Sequence, residues 1–239
     1  MSQAQKEPSG PFNPFYGCAI LLIAIITFGG IVTWVLYSGY RQDKEIGQFT
    51  VENAQPLTAP AATAEQKTAL LTKLDSFDDA SANGKSVPLL LSVEELNTLL
   101  VISAEKGIAD YQTIIRFTSI DPKNQYLVAD LCWPMNRLPF VEGPQRFLVG
   151  QGSFKPVIEN KALELHIDSV TVPDKVVSEG FVRNLRAWPW LNLAKLKPEV
   201  KAGLEKVTSF EFSPDGSGII LHSGSAVASP APATKATTP

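Results

Sequence analysis

No charged residue interrupts the chain from Pro8 to Tyr40, and the densest apolar stretch runs from Phe15 to Tyr37. A helix rises about 1.5 Å per residue, so about 20 apolar residues cross a hydrocarbon core of roughly 30 Å. Residues 15–40 therefore read as one transmembrane helix and residues 1–14 as a short N-terminal tail. Tyr16 at one end, and Trp34, Tyr37 and Tyr40 at the other, suit aromatic belts at headgroup level. A cleaved signal peptide has a shorter apolar core and a small-residue cleavage site. This run is long and ends in Tyr-Ser-Gly-Tyr-Arg, while Cys18 stands at its start rather than where a lipid-modified cysteine belongs. Lys6 on one side and Arg41 and Lys44 on the other are too few to orient the helix by charge. A short uncleaved tail ahead of a large domain predicts a cell-membrane protein with its soluble domain outside the cytoplasm.

Beyond the anchor the pattern changes twice. Residues 41–63, ending in Pro-Leu-Thr-Ala-Pro-Ala-Ala-Thr from Pro56, read as a flexible linker. The Pro/Ala/Thr-rich residues 223–239 read as a disordered tail. Between them, 64–222 predicts one soluble domain. Leu70, Leu71, Leu74 and Phe77 recur at helical spacing over 64–77. Val87–Leu91 predicts a short strand, and Ser92-Val-Glu-Glu95 is a capping box that opens a helix presenting Leu96, Leu99 and Leu100. Four strands follow, at 111–120, 125–133, 146–155 and 161–172, joined by turns rich in Pro, Asn and Gly. Such short links predict an antiparallel meander. Gly150 and Gly152 alternate within one strand, which predicts a bulge or strong curvature. A helix is expected over 173–185, starting at Pro173-Asp174, then a segment broken by Pro189 and Pro198, then a hairpin of 207–212 and 218–222. The fold class is α+β: a transmembrane helix, then a largely antiparallel, curved sheet packed with helices.

Charge and cysteine content narrow the function by exclusion. The 21 basic and 24 acidic residues give a net charge of -3, which offers no polyanion-binding surface, so no nucleic acid partner is expected. Cys18 and Cys132 lie in different parts of the chain, so neither a disulfide nor a cysteine metal site is expected. Glu164, His166 and Asp168 share one face of a predicted strand. An acid–His–acid row is metal-ligand chemistry, but ligands normally converge from several elements, so the row reads as a solvated sheet face. Gly150-Gln-Gly152 opens no helix, Ser153 stands at no strand-to-helix turn, and Asp130 is a lone acid in an apolar strand. No catalytic residue, metal ligand or cofactor is assigned, and no enzyme is expected. The most distinctive stretch is 181–197, with Trp188 and Trp190 among Arg183, Arg186, Lys195 and Lys197 and no acid. That composition suits a segment at lipid headgroup level. It also suits a corner pinned to the core by its tryptophans, and both readings stay open.

The apolar strand followed by Ser92-Val-Glu-Glu-Leu-Asn97 and a sheet meander resembles uncharacterised bacterial proteins that carry one N-terminal anchor and an extracytoplasmic domain. Some of these are similar to tubular lipid-binding (TULIP-like) proteins, in which a curved sheet wraps a long helix around an apolar groove. The resemblance spans about 64–222, and the breaks at Pro189 and Pro198 depart from a single long helix. It implies a non-enzymatic, membrane-anchored cell-envelope protein that binds a lipid or other apolar ligand, with the bilayer as a partner. Leu127, Ala129 and Leu131 on one strand face and Tyr126, Val128 and Cys132 on the other agree with such a sheet. The alternative is an interaction or scaffold subunit of an envelope protein complex.

Overall fold

The structure is a computed structural model and describes residues 14–54, 56–108, 110–135, 144–159, 162–190 and 198–223. The chain forms two compact units, Met1–Ile46 and Gly47–Pro239. The first is helix α1 (Pro14–Phe49) up to its last turn. From Phe15 to Tyr40 its large apolar side chains are exposed, Phe28 and Trp34 by 72% and 70%. The helix is long and apolar enough to cross a membrane.

Residues 41–63, expected to be a flexible linker, are ordered along much of their length. Arg41–Phe49 continues α1 without a break, because Arg, Gln, Lys and Glu propagate a helix already nucleated. Phe49 and Thr50 are buried, at 1% and 5% exposure. Strand β1 (Val51–Glu52) then pairs antiparallel with strand β5 (Arg146–Glu159). Leu57 N–H donates to the Thr113 carbonyl at 3.0 Å, and Arg116 donates to the Thr58 carbonyl at 2.8 Å.

Helix α2 (Ala64–Ala82) opens with a capping box of Thr63 and Gln66. Strand β2 (Pro88–Ser92) leads into helix α3 (Val93–Glu105), whose Ser92–Glu95 capping box forms as expected. The Ser92 hydroxyl accepts from Glu95 N–H at 3.2 Å, and the Glu95 carboxylate accepts from Ser92 N–H at 2.8 Å. β2 joins strands β7 (Val207–Phe212) and β8 (Gly218–Ser223) in a three-stranded antiparallel sheet of order β2-β8-β7. One core lies here: Leu70 and Phe77 of α2, Leu89 and Leu91 of β2, Ile102 of α3, and Val207, Ile219 and Leu221.

The meander forms as a second, curled antiparallel sheet of strands β3 (Ile115–Asp121), β4 (Tyr126–Pro134), β5 and β6 (Ala162–Thr171), with β1 added to β5. Ile115, Phe117, Leu127, Ala129, Leu131, Leu148, Phe154 and Ile167 are buried on its inner face. On β4 the opposite face is not equally buried: Tyr126, Val128 and Asp130 are intermediate, and Cys132 is closed off. Gly150 permits the curl. A Cβ there would stand 2.2 Å from the Thr171 carbonyl oxygen of β6, so any side chain would force the strands apart. Close by, the β5–β6 register shifts between Ser153 and Phe154: Ser153 pairs Ser169 and Phe154 pairs Ile167, which leaves Asp168 as the extra residue of a bulge.

Candidate functional site

Helix α4 (Glu179–Arg186) begins later than the Pro173-Asp174 signal suggests. Asp174 takes φ +56°, outside helical space, and Val172 bridges Lys175. Lys175 donates through Nζ to the Thr50 carbonyl at 2.7 Å, which holds this turn against the domain's first residues. Ser178 caps the helix instead, accepting from Phe181 N–H at 3.3 Å. The Phe181 ring lies 4.9 Å from that of Phe49. The start of α4 is thus stitched to the point where the chain enters the domain.

Its other end is stitched to β6. Arg186 Nε donates to the Asp168 carbonyl at 2.5 Å and lies 3.6 Å from the Asp168 carboxylate. Partial burial, and then the Asp168 carboxylate that accepts its hydroxyl, push the Tyr126 phenol above its usual range. Pro189 bridges His166, and Trp190 N–H donates to the Leu165 carbonyl at 2.6 Å.

Those contacts separate the two tryptophans. Trp190 is half-buried, its ring 4.5 Å from Trp133, 5.4 Å from Phe154 and 6.1 Å from Tyr111. Trp188, on the other side of Pro189, is 75% exposed. The structure brings Arg183 and Arg186, both exposed, together with Trp188 on one short helix and its exit. Lys195 and Lys197 lie outside the described residues. The sequence reading missed Val176, 88% exposed just ahead of α4. The pair Val176-Val177 in a predicted helix carries no signal of which valine is exposed.

The acid–His–acid row also changes. It is not a solvated face: the Glu164 side chain is 9% exposed and that of His166 18%. Asp168, the extra residue of the bulge, is engaged by Arg186 and Tyr126 instead. Glu159 takes its place from the neighbouring strand, because Glu159 pairs Ala162, Val157 pairs Glu164 and Lys155 pairs His166, and paired residues share a face. Carboxylate oxygens of Glu159 and Glu164 and a ring nitrogen of His166 lie within 4.8 Å of one another. Elsewhere, Asp130 is half-exposed, and His222 sits 3.3 Å from the Glu211 carboxylate. Burial pushes the Cys132 thiol up, away from nucleophilic thiolate chemistry. Comparisons with protein-family models, with curated proteins and with solved structures give no match for this chain, so the site rests on its own geometry.

Proposed function

We propose that this is a non-enzymatic, single-pass membrane protein of the cell envelope whose extracytoplasmic domain engages anionic lipid headgroups through the α4 corner. The observation that carries this reading is Trp188, an indole three-quarters exposed just past the helix that carries the exposed Arg183 and Arg186. Indole is amphipathic and partitions to headgroup level, and each nearby cation contributes about 1 kcal/mol at an anionic surface. The tether supports it. Phe49 follows Tyr40 by nine positions, a reach of about 14 Å as a helix and about 30 Å fully extended. The α4 corner packs on Phe49 through Phe181. Trp190 fills the inner face of the curled sheet against Phe154, which favours a headgroup contact over an apolar ligand held within the sheet.

A fragment beginning at Arg41 keeps Phe49 and Thr50 and suits the test. It should cosediment with phosphatidylglycerol vesicles, and much less with phosphatidylcholine vesicles. Trp188→Ala combined with Arg183→Gln and Arg186→Gln should abolish cosedimentation while the far-ultraviolet circular dichroism stays unchanged. A wild-type fragment that ignores anionic vesicles sinks the headgroup reading. A corner variant that instead loses a specific envelope protein would favour the scaffold alternative.

A further inference from the structure

We propose that Glu159, Glu164 and His166 bind one divalent first-row transition-metal ion at the β5–β6 hairpin, a site independent of the lipid contact. The argument starts from the imidazole. His166 Nδ1 lies 3.3 Å from the Arg186 carbonyl oxygen. A carbonyl only accepts, so Nδ1 carries the proton and donates. Nε2 then faces the Glu164 carboxylate, 3.2 Å away. That carboxylate belongs to a side chain that is nine-tenths buried, where a charge needs a close partner. A second carboxylate, Glu159, converges on the same point. A cation among the three groups would take Nε2 and both carboxylates as ligands. An imidazole held through its other nitrogen by a backbone carbonyl is also the usual outer-shell arrangement of a metal-bound histidine.

The surroundings agree in charge. Lys155, opposite His166 on the same face, forms no ion pair with either carboxylate, and Arg186 is engaged by Asp168. Two carboxylates and a neutral imidazole balance a charge of two. Mixed nitrogen and oxygen donors suit zinc, manganese or iron better than magnesium or calcium. A four-coordinate ion with bonds of about 2.0–2.2 Å sets its ligand atoms roughly 3.4 Å apart. Glu159 is exposed at the strand end and can swing inward to close the remaining distance.

The full-length protein in detergent, stripped with chelator and dialysed against zinc, should retain one equivalent by elemental analysis, and cobalt should give visible d–d bands. His166→Ala and Glu164→Gln should lose that equivalent, and Asp168→Asn should keep it. Because Glu164 and His166 are largely buried, Glu159→Gln at an exposed position provides the variant that leaves packing intact. It should weaken binding by more than the roughly 10–100-fold typical of losing an outer-shell partner. Failure of zinc, manganese and cobalt alike to bind stoichiometrically would mean that His166 is a doubly protonated imidazole paired with the carboxylates, and would overturn the proposal. Metal retained undiminished by folded Glu159→Gln and His166→Ala would place it elsewhere and overturn it equally.

Discussion

The two sheets of the domain close their cores differently. The small sheet lies against α2 and α3, and its buried positions are aliphatic or phenyl: Leu70, Phe77, Leu89, Leu91, Ile219 and Leu221. Both helices open with full capping boxes. The larger sheet gathers rings, with Trp133, Trp190, Phe154 and Tyr111 stacked edge to face or tilted. At its β6 side it keeps an exposed indole and a buried carboxylate. Burial and capping account for the first region. The second leaves an indole in solvent and buries a carboxylate whose hydrogen-bond partner is His166, and both proposals fall there.

The largest expected effect tests the line between packing and display within that second region. Trp190→Ala should cost about 3–5 kcal/mol, since it empties the space between Trp133 and Phe154. Trp188→Ala, a change at the surface, should stay within about 0.5 kcal/mol. Urea denaturation of the Arg41 fragment measures both. Equal losses would break the comparison, because Trp188 would then be structural and its exposure without consequence for lipid.

A smaller effect compares the caps. Ser92 and Glu95 exchange two hydrogen bonds, and Glu95 also pairs with Lys73 at 2.7 Å. Ser178 makes one, at 3.3 Å, and no reciprocal bond is formed. Ser92→Ala should cost about 1 kcal/mol and Ser178→Ala about 0.5 kcal/mol. If Ser178→Ala proved the costlier of the two, α4 would be a pillar of the fold rather than a surface element held by its flanks.

What was readable beforehand follows the same division. The Ser92 box, the meander and the closing hairpin are written in residues within four positions of one another, so local chemistry decides them. The linker was misread because its order comes from partners far along the chain: Phe49 packs on Phe181, and Lys175 reaches Thr50. The same contacts move the start of α4 from Pro173 to Ser178. Trp188 and Trp190 are equivalent in composition, and long-range contacts distinguish them: the backbone bond from Trp190 to Leu165 and its ring packing on Trp133 and Phe154. At the charged cluster, period two correctly put Glu164 and His166 together. It could not foresee that Arg186 and Tyr126 engage Asp168, or the register that supplies Glu159.

The smallest effect concerns the two hairpin turns, one in each sheet, and sharpens the comparison where both are solvent-exposed. Asp215, between β7 and β8, has its carboxyl lowered to about 2 by the Ser213 hydroxyl, then by the Ser217 N–H and hydroxyl. Asp121, the last residue of β3, is lowered by the Asn124 amide, the Asn124 N–H and the Lys123 N–H. Hydrogen bonds to the charged form favour it, and neither group is buried enough to oppose them. The sign follows directly. Each carboxyl is more acidic folded than unfolded, so its contribution is present above the ordinary value of 3.8. For Asp215 that contribution is lost as pH falls from 3.8 through about 2. Side-chain carboxyl shifts followed by NMR across acid titration should show both groups below 3.8, with Asp215 near 2. Ser213→Ala should raise Asp215 and leave Asp121 unmoved, while Asn124→Ala should do the reverse. An Asp215 that titrates normally in the wild-type protein would show that the Ser213 bond does not persist in solution. The small sheet's turn would then be no better fixed than the turn of its larger neighbour.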